Sequence, residues 1–101
     1  MLILSFLIAI RWVDMDKKAA IFKALAEPNR LKMLEMIREE PGVCACKLVG
    51  AFSVSQPTLS YHMKMLADAG LITAEKNGRW MNYSLRKEGW DEIGRYIDSM
   101  R

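Results

Sequence analysis

The chain has 101 residues, of which 51% are hydrophobic, enough for one domain with a single core, and this excludes a disordered chain. The formal net charge of +3 is compatible with a phosphate-bearing partner but does not require one. Two cysteines, eight methionines and the lack of an export signal favour a reducing cytoplasm. With one histidine, no glycine-rich phosphate loop and no nucleophile–base pair, the sequence gives an enzyme no support.

The N-terminal segment over residues 1–14 is mostly apolar, and we treat it apart from the domain over residues 15–101. Three interpretations stay open. The segment reflects an upstream start with Met15 as the other start, it forms an extra helix that packs in a dimer, or it anchors the protein to a membrane. The third is disfavoured, because no basic residue precedes the apolar run and ten residues are too few to span a bilayer as a helix.

Hydrophobic periodicity and helix-breaking residues predict four helices before residue 70. They cover Asp16–Ala26, Pro28–Glu40, Cys44–Phe52 and Gln56–Ala69. The second helix is apolar around most of its circumference, so we expect it at the centre of the core. Ser55 is a typical N-cap for the fourth helix, and Gly70 is typical of the position after a helix ends.

A β-hairpin and a final helix complete the predicted elements. Strands are predicted over Leu71–Lys76 and Arg79–Leu85, joined by Asn77-Gly78, which is a strong signal for a tight hairpin turn. Glu88–Met100 has the pattern of an amphipathic helix. The order α-α-α-α-β-β-α, mainly helical with one small hairpin, predicts a winged helix-turn-helix fold.

The fourth predicted helix has the side chains that a helix in the DNA major groove needs: hydrogen-bonding groups near its N-terminus for base edges, and a cation for phosphates. These outward residues are Ser55, Gln56, Thr58, Ser60, Tyr61 and Lys64. The hairpin tip adds a polar, cationic wing suited to the DNA backbone, with Lys76, Asn77 and Arg79. The pattern predicts binding to double-stranded DNA. A solvated helix face with a wing that contacts protein is the alternative.

His62 lies at the edge of the inward stripe of the same helix. Two roles stay open for it: a contact to DNA, or a hydrogen bond to a preceding helix. It is the only histidine in the chain, so a metal-binding role lacks partner ligands.

Residues 21–85 resemble, without gaps, the ArsR/SmtB family of bacterial and archaeal metal-responsive repressors. The motifs that carry the resemblance are Phe22-Lys23-Ala24-Leu25-Ala26, Asn29-Arg30-Leu31, Cys44-Ala45-Cys46-Lys47-Leu48, Ser55-Gln56-Pro57-Thr58-Leu59-Ser60-Tyr61-His62, Gly70-Leu71-Ile72 and Gly78-Arg79-Trp80. The resemblance implies a homodimer formed through the first and last helices. It also implies an operator that is an imperfect inverted repeat, and release from it when an inducer binds.

Cys44 and Cys46 match two thiolates of the arsenic site in the arsenic-responsive branch of that family. Soft thiolates prefer thiophilic ions, so the candidate inducers are As(III), a trivalent organoarsenical, Sb(III) and Cd(II), with no obligatory cofactor. Val49 stands where that branch has a third cysteine, which favours a ligand that needs only two thiolates. Two other interpretations remain: a redox-responsive pair in a metal-blind repressor, and a pair of inert small residues.

Two geometric expectations follow for this pair. A disulfide between Cys44 and Cys46 is not expected, because it would close a very short loop and constrain the unfolded chain little. Both residues are predicted inside the third helix, where side chains two positions apart point to opposite sides. Ligand binding is therefore expected to unwind the start of that helix, which braces the fourth, and so to disfavour the DNA-binding state.

Overall fold

The computed structural model describes residues 2–101, and along them the elements follow the order α1-α2-β1-α3-α4-β2-β3-α5. Their bounds are α1 Leu2–Leu25, α2 Pro28–Glu39, β1 Val43–Cys44, α3 Ala45–Phe52, α4 Gln56–Asp68, β2 Ile72–Asn77, β3 Trp80–Leu85 and α5 Lys87–Ser99. The predicted winged helix-turn-helix fold is confirmed. One strand, β1, was not predicted.

The first helix is much longer than predicted. It begins at Leu2 rather than Asp16 and runs for 24 residues, about 36 Å. Its C-terminal part reaches the core through Ile21 and Ala24, which are buried, whereas Trp12 in the first half is 68% exposed. The predicted start was wrong because the first half is apolar without a core-facing period, so periodicity gave no helical signal there. Within residues 2–101, no helix has both the length and the apolar character needed to cross a membrane.

The three strands form one antiparallel sheet in the order β1-β3-β2. β1 pairs with the base of the hairpin, Val43 opposite Tyr83 and Cys44 opposite Asn82. A strand of two residues has no readable alternation, and its pairing is with residues about 40 positions away, so sequence pattern alone missed it. The pairing ties the start of α3 to the wing.

The core is built where α2, α3, α4 and the sheet meet. Its buried apolar residues are Ile21, Ala24, Met33, Leu34, Ile37, Val43, Ala45, Leu48, Leu59, Met63, Leu66, Leu71, Ile72, Tyr83 and Ile93. The central position predicted for α2 is confirmed, because Met33 and Ile37 are fully buried. Leu31 of the same helix remains half exposed.

The junction between α4 and α5 is closed by two glycines. Gly70 adopts φ +77°, and the N–H of Leu71 bonds to the carbonyl of Leu66 at 3.0 Å, as in a helix end terminated by a left-handed residue. The α-carbon of Gly89 in α5 packs directly on the Gly70 carbonyl. Trp90 reinforces the contact, since its Nε1 donates to the Leu71 carbonyl at 3.0 Å. Backbone therefore touches backbone where α5 leaves the wing.

Candidate nucleic-acid interface and cysteine site

The start of α4 is fixed by the predicted cap. Ser55 has an extended backbone, and its Oγ accepts the backbone N–H of Thr58 at 3.2 Å. The Ser55 hydroxyl also donates to Thr58 Oγ1 at 2.9 Å. Such a cap contributes about 1 kcal/mol, and Pro57 in the first turn adds a fixed φ. Two of the predicted DNA-contacting hydroxyls are therefore already engaged in forming the helix start.

The outward face of α4 is open to solvent. Its exposed residues are Ser55, Gln56, Thr58, Ser60, Tyr61 and Lys64. Tyr61 is 58% exposed, whereas Leu59 and Leu66 on the inward stripe are buried. The helix can thus present these side chains to a ligand without disturbing the core.

Lys64 is the charged residue of that face, and it already forms an ion pair. Its Nζ lies 3.0 Å from Asp68 Oδ2, one helical turn later, and both side chains are largely exposed. Exposed pairs of this kind contribute between zero and about 1 kcal/mol, so a phosphate can displace the carboxylate at little cost.

His62 is half-buried and faces an earlier helix. Its Nδ1 lies 3.0 Å from a terminal nitrogen of Arg30 in α2, and its ring lies against Tyr61 with centroids 5.7 Å apart. Of the two roles left open by the sequence, the hydrogen bond to a preceding helix is the one present in the structure. It occupies the Nδ1 edge of the ring, so any contact of His62 with DNA has to use the rest of the side chain.

The wing is a tight hairpin whose loop differs by one residue from the prediction. Asn77 pairs with Trp80, so the two loop residues are Gly78 and Arg79 and not Asn77-Gly78. Gly78 has φ +65°, and the only non-glycine residue with positive φ among those described is Ser53. A glycine first in a two-residue loop is a recognised hairpin solution, and it extends β2 through Asn77. Lys76, Asn77 and Arg79 are all exposed.

The cysteine pair contradicts the first geometric expectation. The Sγ atoms of Cys44 and Cys46 are joined in a disulfide, with the α-carbons 5.2 Å apart, within the usual span of such bonds. The expectation rested on how little the bond restrains the unfolded chain, which does not decide whether the native backbone brings the two sulfurs together. Here it does, because Cys44 lies before α3 in an extended conformation (φ −71°, ψ 139°).

The second expectation fails for the same reason. Cys44 is the N-cap of α3 rather than part of it, and its Sγ accepts the backbone N–H of Cys46 at 3.1 Å. The two sulfurs therefore share one side of the helix start, and no unwinding is needed to bring them to one ligand. Lys47 follows, with its ammonium 3.1 Å from Glu40 Oε1. Among the described residues, no group of three or more His, Cys, Asp or Glu side chains is placed to hold a metal ion.

Arg30 is a residue that sequence reasoning missed. It is 7% exposed, with Nε 2.6 Å from the Ala24 carbonyl in α1 and another nitrogen on His62. A signal was available, since Arg30 precedes Met33 and Ile37 by three and seven positions and therefore lies on the buried stripe of α2. An arginine on an inward stripe indicates a buried cation with a specific set of acceptors.

Taken together, the capped helix with an open polar face and the cationic hairpin define a winged helix-turn-helix DNA-binding protein. The family model described as bacterial regulatory protein, arsR family, matches residues 27–74. The chain is 35% identical over 85 residues to an uncharacterised HTH-type transcriptional regulator of Methanocaldococcus jannaschii, a span of 84% of this chain and 96% of that protein. This protein therefore belongs to the ArsR family and is a DNA-binding transcriptional regulator, not an enzyme.

A second relative agrees with this assignment, and a solved structure agrees with the fold. The chain is 42% identical over 80 residues to an arsenical resistance operon repressor of Staphylococcus xylosus, covering 79% of this chain and 76% of that repressor. A solution structure from Mycobacterium bovis, described as a homodimeric winged helix-turn-helix DNA-binding domain, matches the fold with a TM-score of 0.73. The alignment has 20% identity and covers 89% of this chain and 83% of that one.

Proposed function

We propose that this protein is an ArsR-type repressor that leaves its operator when a thiophilic metalloid or metal binds Cys44 and Cys46. The observation that carries the proposal is the convergence of the two sulfurs at the head of α3. Once reduced, the same backbone arrangement holds two thiolates on one side, where soft ions such as As(III), Sb(III) and Cd(II) are preferred. The proposal requires reduced thiols and hence a reducing compartment such as the cytoplasm.

The DNA-bound form is proposed to be a homodimer formed through α1 and α5. These two helices pack together, with the Phe22 and Tyr96 ring centroids 6.3 Å apart. Apolar side chains beside this contact are left open, since Phe22 is 41%, Ile97 45% and Met100 68% exposed. The similar Mycobacterium bovis domain is described as homodimeric. A two-fold dimer presents its two α4 helices to half-sites of opposite orientation, so we propose an imperfect inverted repeat as the operator.

In each half-site, we propose base-edge contacts from Gln56, Thr58, Ser60 and Tyr61, with His62 beside them. Ser55, at the free N–H groups of the first turn, and Lys64 are proposed to meet phosphates. The wing residues Lys76, Asn77 and Arg79 are proposed to follow the backbone. Support comes from the exposure of all these side chains except His62.

Replacing Arg79 with alanine is expected to weaken binding to specific and random duplexes by similar factors and to lower the salt slope by about 1. The reason is that an exposed guanidinium at the loop tip recognises phosphate charge and not sequence. Fluorescence anisotropy at several salt concentrations measures both quantities. Arg95→Ala removes the same charge from an exposed position on α5 and serves as the control. An unchanged slope in Arg79→Ala would remove the wing from the phosphate contacts.

The route from the cysteines to DNA does not need an unwound helix. Cys44 is linked to α4 indirectly, because it caps α3, which packs on α4, and it is linked to the wing directly, because it pairs with Asn82. A ligand bonded to Cys44 Sγ changes the direction from which this sulfur accepts the Cys46 N–H. The cap of α3 and the base of the wing are thus strained together, which gives the ligand different affinities for the free and DNA-bound states.

The number of thiolates decides which inducer binds best. Among the described residues, no third His, Cys, Asp or Glu completes a metal-binding group with the pair. A monosubstituted trivalent organoarsenical has two exchangeable bonds, which two thiolates fill, whereas inorganic As(III) has three. We therefore propose the organoarsenical as the tightest inducer, ahead of As(III), Sb(III) and Cd(II).

The test is a DNA-release titration on the fully reduced protein. The probe is a labelled duplex that the protein selects from a random-sequence pool, and the ligands are phenylarsine oxide, arsenite, antimonite and Cd(II). Phenylarsine oxide is expected to lower DNA affinity by about 5- to 150-fold. It should do so at a lower concentration than arsenite, antimonite or Cd(II). Binding of the duplex with no response to any of the four would reject the inducer while leaving the DNA-binding assignment intact.

A thiol–disulfide switch is the second candidate, and the bonded sulfur atoms favour it. A peroxide would remove two electrons and two protons from the thiol pair to form this bond, and a thiol reductant would restore the pair. Hydrogen peroxide added to the same reduced complex separates the two proposals. Release by peroxide without release by any arsenical would favour the redox switch.

A further inference from the structure

The guanidinium of Arg30 closes the C-terminal end of α1. Its Nε donates to the Ala24 carbonyl at 2.6 Å, and one terminal nitrogen donates to the Lys23 carbonyl at 3.5 Å. Both carbonyls belong to the last turn of α1, where backbone acceptors have no partner inside the helix. A cation is also favoured at this negative end of a helix. Arg30 is therefore a cap that α2 supplies to α1.

The same side chain also contacts α4, the proposed DNA-recognition helix. Its other terminal nitrogen lies 3.0 Å from His62 Nδ1 in α4. A guanidinium has only donors, so this contact is a hydrogen bond only when Nδ1 is the acceptor and the ring proton is on Nε2. One buried side chain thus bonds to α1 and α4 while belonging to α2.

The charged groups around His62 determine how this arrangement responds to protonation. Arg30 faces it from α2, and the Glu27 carboxylate lies at the start of that helix, where its Oε2 accepts the Arg30 backbone N–H at 2.8 Å. That hydrogen bond holds the pKa of Glu27 below its usual value, so the carboxylate stays charged. Tyr61 of the same helix lies against the ring. Protonation of Nδ1 would turn the acceptor into a donor against a donor. Glu27 offsets part of the charge repulsion but does not restore the hydrogen bond.

We propose that Arg30 is a positioning residue that holds α4 against the end of α1 through a neutral His62, so that sequence-specific DNA binding weakens when His62 is protonated. Base-edge hydrogen bonds require a set distance and direction, whereas attraction to phosphates tolerates small shifts of the helix. Loosening the contact therefore lowers discrimination between sequences more than total affinity. The inference needs DNA binding but no inducer, so its failure would not touch the proposed inducer.

The first arm of the test compares two identical substitutions on one helix, without inducer. Arg30→Lys keeps the charge, but its single nitrogen cannot serve the α1 carbonyls and His62 in the fork geometry of arginine. The ratio of affinities for the selected duplex and for a random duplex is expected to fall about tenfold, the size of one lost base contact. Arg38→Lys, at an exposed arginine of α2, is the control and is expected to leave the ratio unchanged. An equal loss on both duplexes, or no loss, would reject the positioning role.

The second arm uses pH on the wild-type fold. Histidine is the side chain that ordinarily changes charge between about pH 5 and 8, and His62 is the only one present. The wild-type ratio is expected to fall about tenfold from pH 8 to pH 5.5, again the size of one base contact. His62→Asn keeps an acceptor near the Nδ1 position but does not titrate, so its ratio should not change with pH. Thermal unfolding at both pH values confirms that folded protein is compared. A wild-type ratio that stays flat, or a variant that follows the wild type, would overturn the proposal.

Discussion

Replacing both cysteines with serine is expected to leave DNA binding intact and to abolish release by a trivalent organoarsenical. Serine at position 44 keeps the N-cap of α3, because a hydroxyl is a preferred acceptor for the first N–H groups of a helix. Cys44 is half-buried and Cys46 is exposed, so serine at these positions leaves the core unaffected. What disappears is the soft ligand pair, since hydroxyl oxygens do not bind thiophilic ions as thiolates do.

The measurement is the DNA-release titration with the labelled duplex, followed by fluorescence anisotropy. It is run on the wild type, the two single variants and the double variant. The wild-type response is expected to fall in the range of about 5- to 150-fold, and the double variant is expected to respond by less than about twofold. Each single variant should lose most of the response, because one sulfur forms one bond and leaves the second exchangeable position of the arsenical free. A double variant that still releases DNA with wild-type sensitivity would place the inducer site elsewhere in the chain.

If the arsenical releases the protein from DNA, DNA must in turn weaken binding of the arsenical. Because coupling between two ligands is reciprocal, the operator duplex must weaken arsenical binding by the same factor by which the arsenical weakens DNA binding. The double variant is the reference that separates this effect from arsenical bound elsewhere on the protein.

The recognition helix could be predicted because its determinants are local. Ser55, Pro57 and Gly70 mark its ends through their own backbone preferences, and Leu59 and Met63 mark its inward side through spacing. The structure places the cap at Ser55 as expected and ends the helix at Asp68, one residue before the predicted end. Features fixed within one helical turn are readable from the sequence.

The cysteine geometry could not be predicted because it depends on pairing across the chain. Cys44 was expected inside α3, but its backbone is extended because it pairs with Asn82 on the wing. That pairing makes it the cap and brings its sulfur to Cys46. Arg30 could have been predicted only in part. Its spacing on α2 is that of a buried position, but its partners Ala24 and His62 come from two other helices.

Replacing Gly89 with alanine is expected to destabilise the protein by about 3 kcal/mol or more. A β-carbon at this position would lie 1.9 Å from the Gly70 carbonyl oxygen and 2.9 Å from its carbon. Both atoms are backbone, and Gly70 is held at φ +77° by the helix end that it terminates. Neither partner can turn aside as a flexible side chain would, so α5 has to move away from the end of α4.

Displacing α5 also breaks the contacts that depend on the close approach. Trp90 Nε1 would separate from the Leu71 carbonyl, now at 3.0 Å, and Ile93 would lose its place in the core. The Leu71 carbonyl keeps the Arg86 N–H as a donor at 2.9 Å, so the loss falls on the Trp90 N–H, and a buried donor without an acceptor costs about 1–3 kcal/mol. Dimerisation is expected to weaken together with folding, because α5 is half of the proposed interface.

The control lies five positions along the same helix. A β-carbon at Gly94 has nothing within 4 Å, and Gly94→Ala is therefore expected to stabilise α5 by about 0.5–1 kcal/mol through helix propensity. Thermal unfolding separates the two variants: at about 4–8 °C per kcal/mol, Gly89→Ala should melt at least about 12 °C below the wild type and Gly94→Ala slightly above it. Equal effects of the two substitutions would mean that helix propensity, and not the contact with Gly70, determines the requirement for glycine at the start of α5.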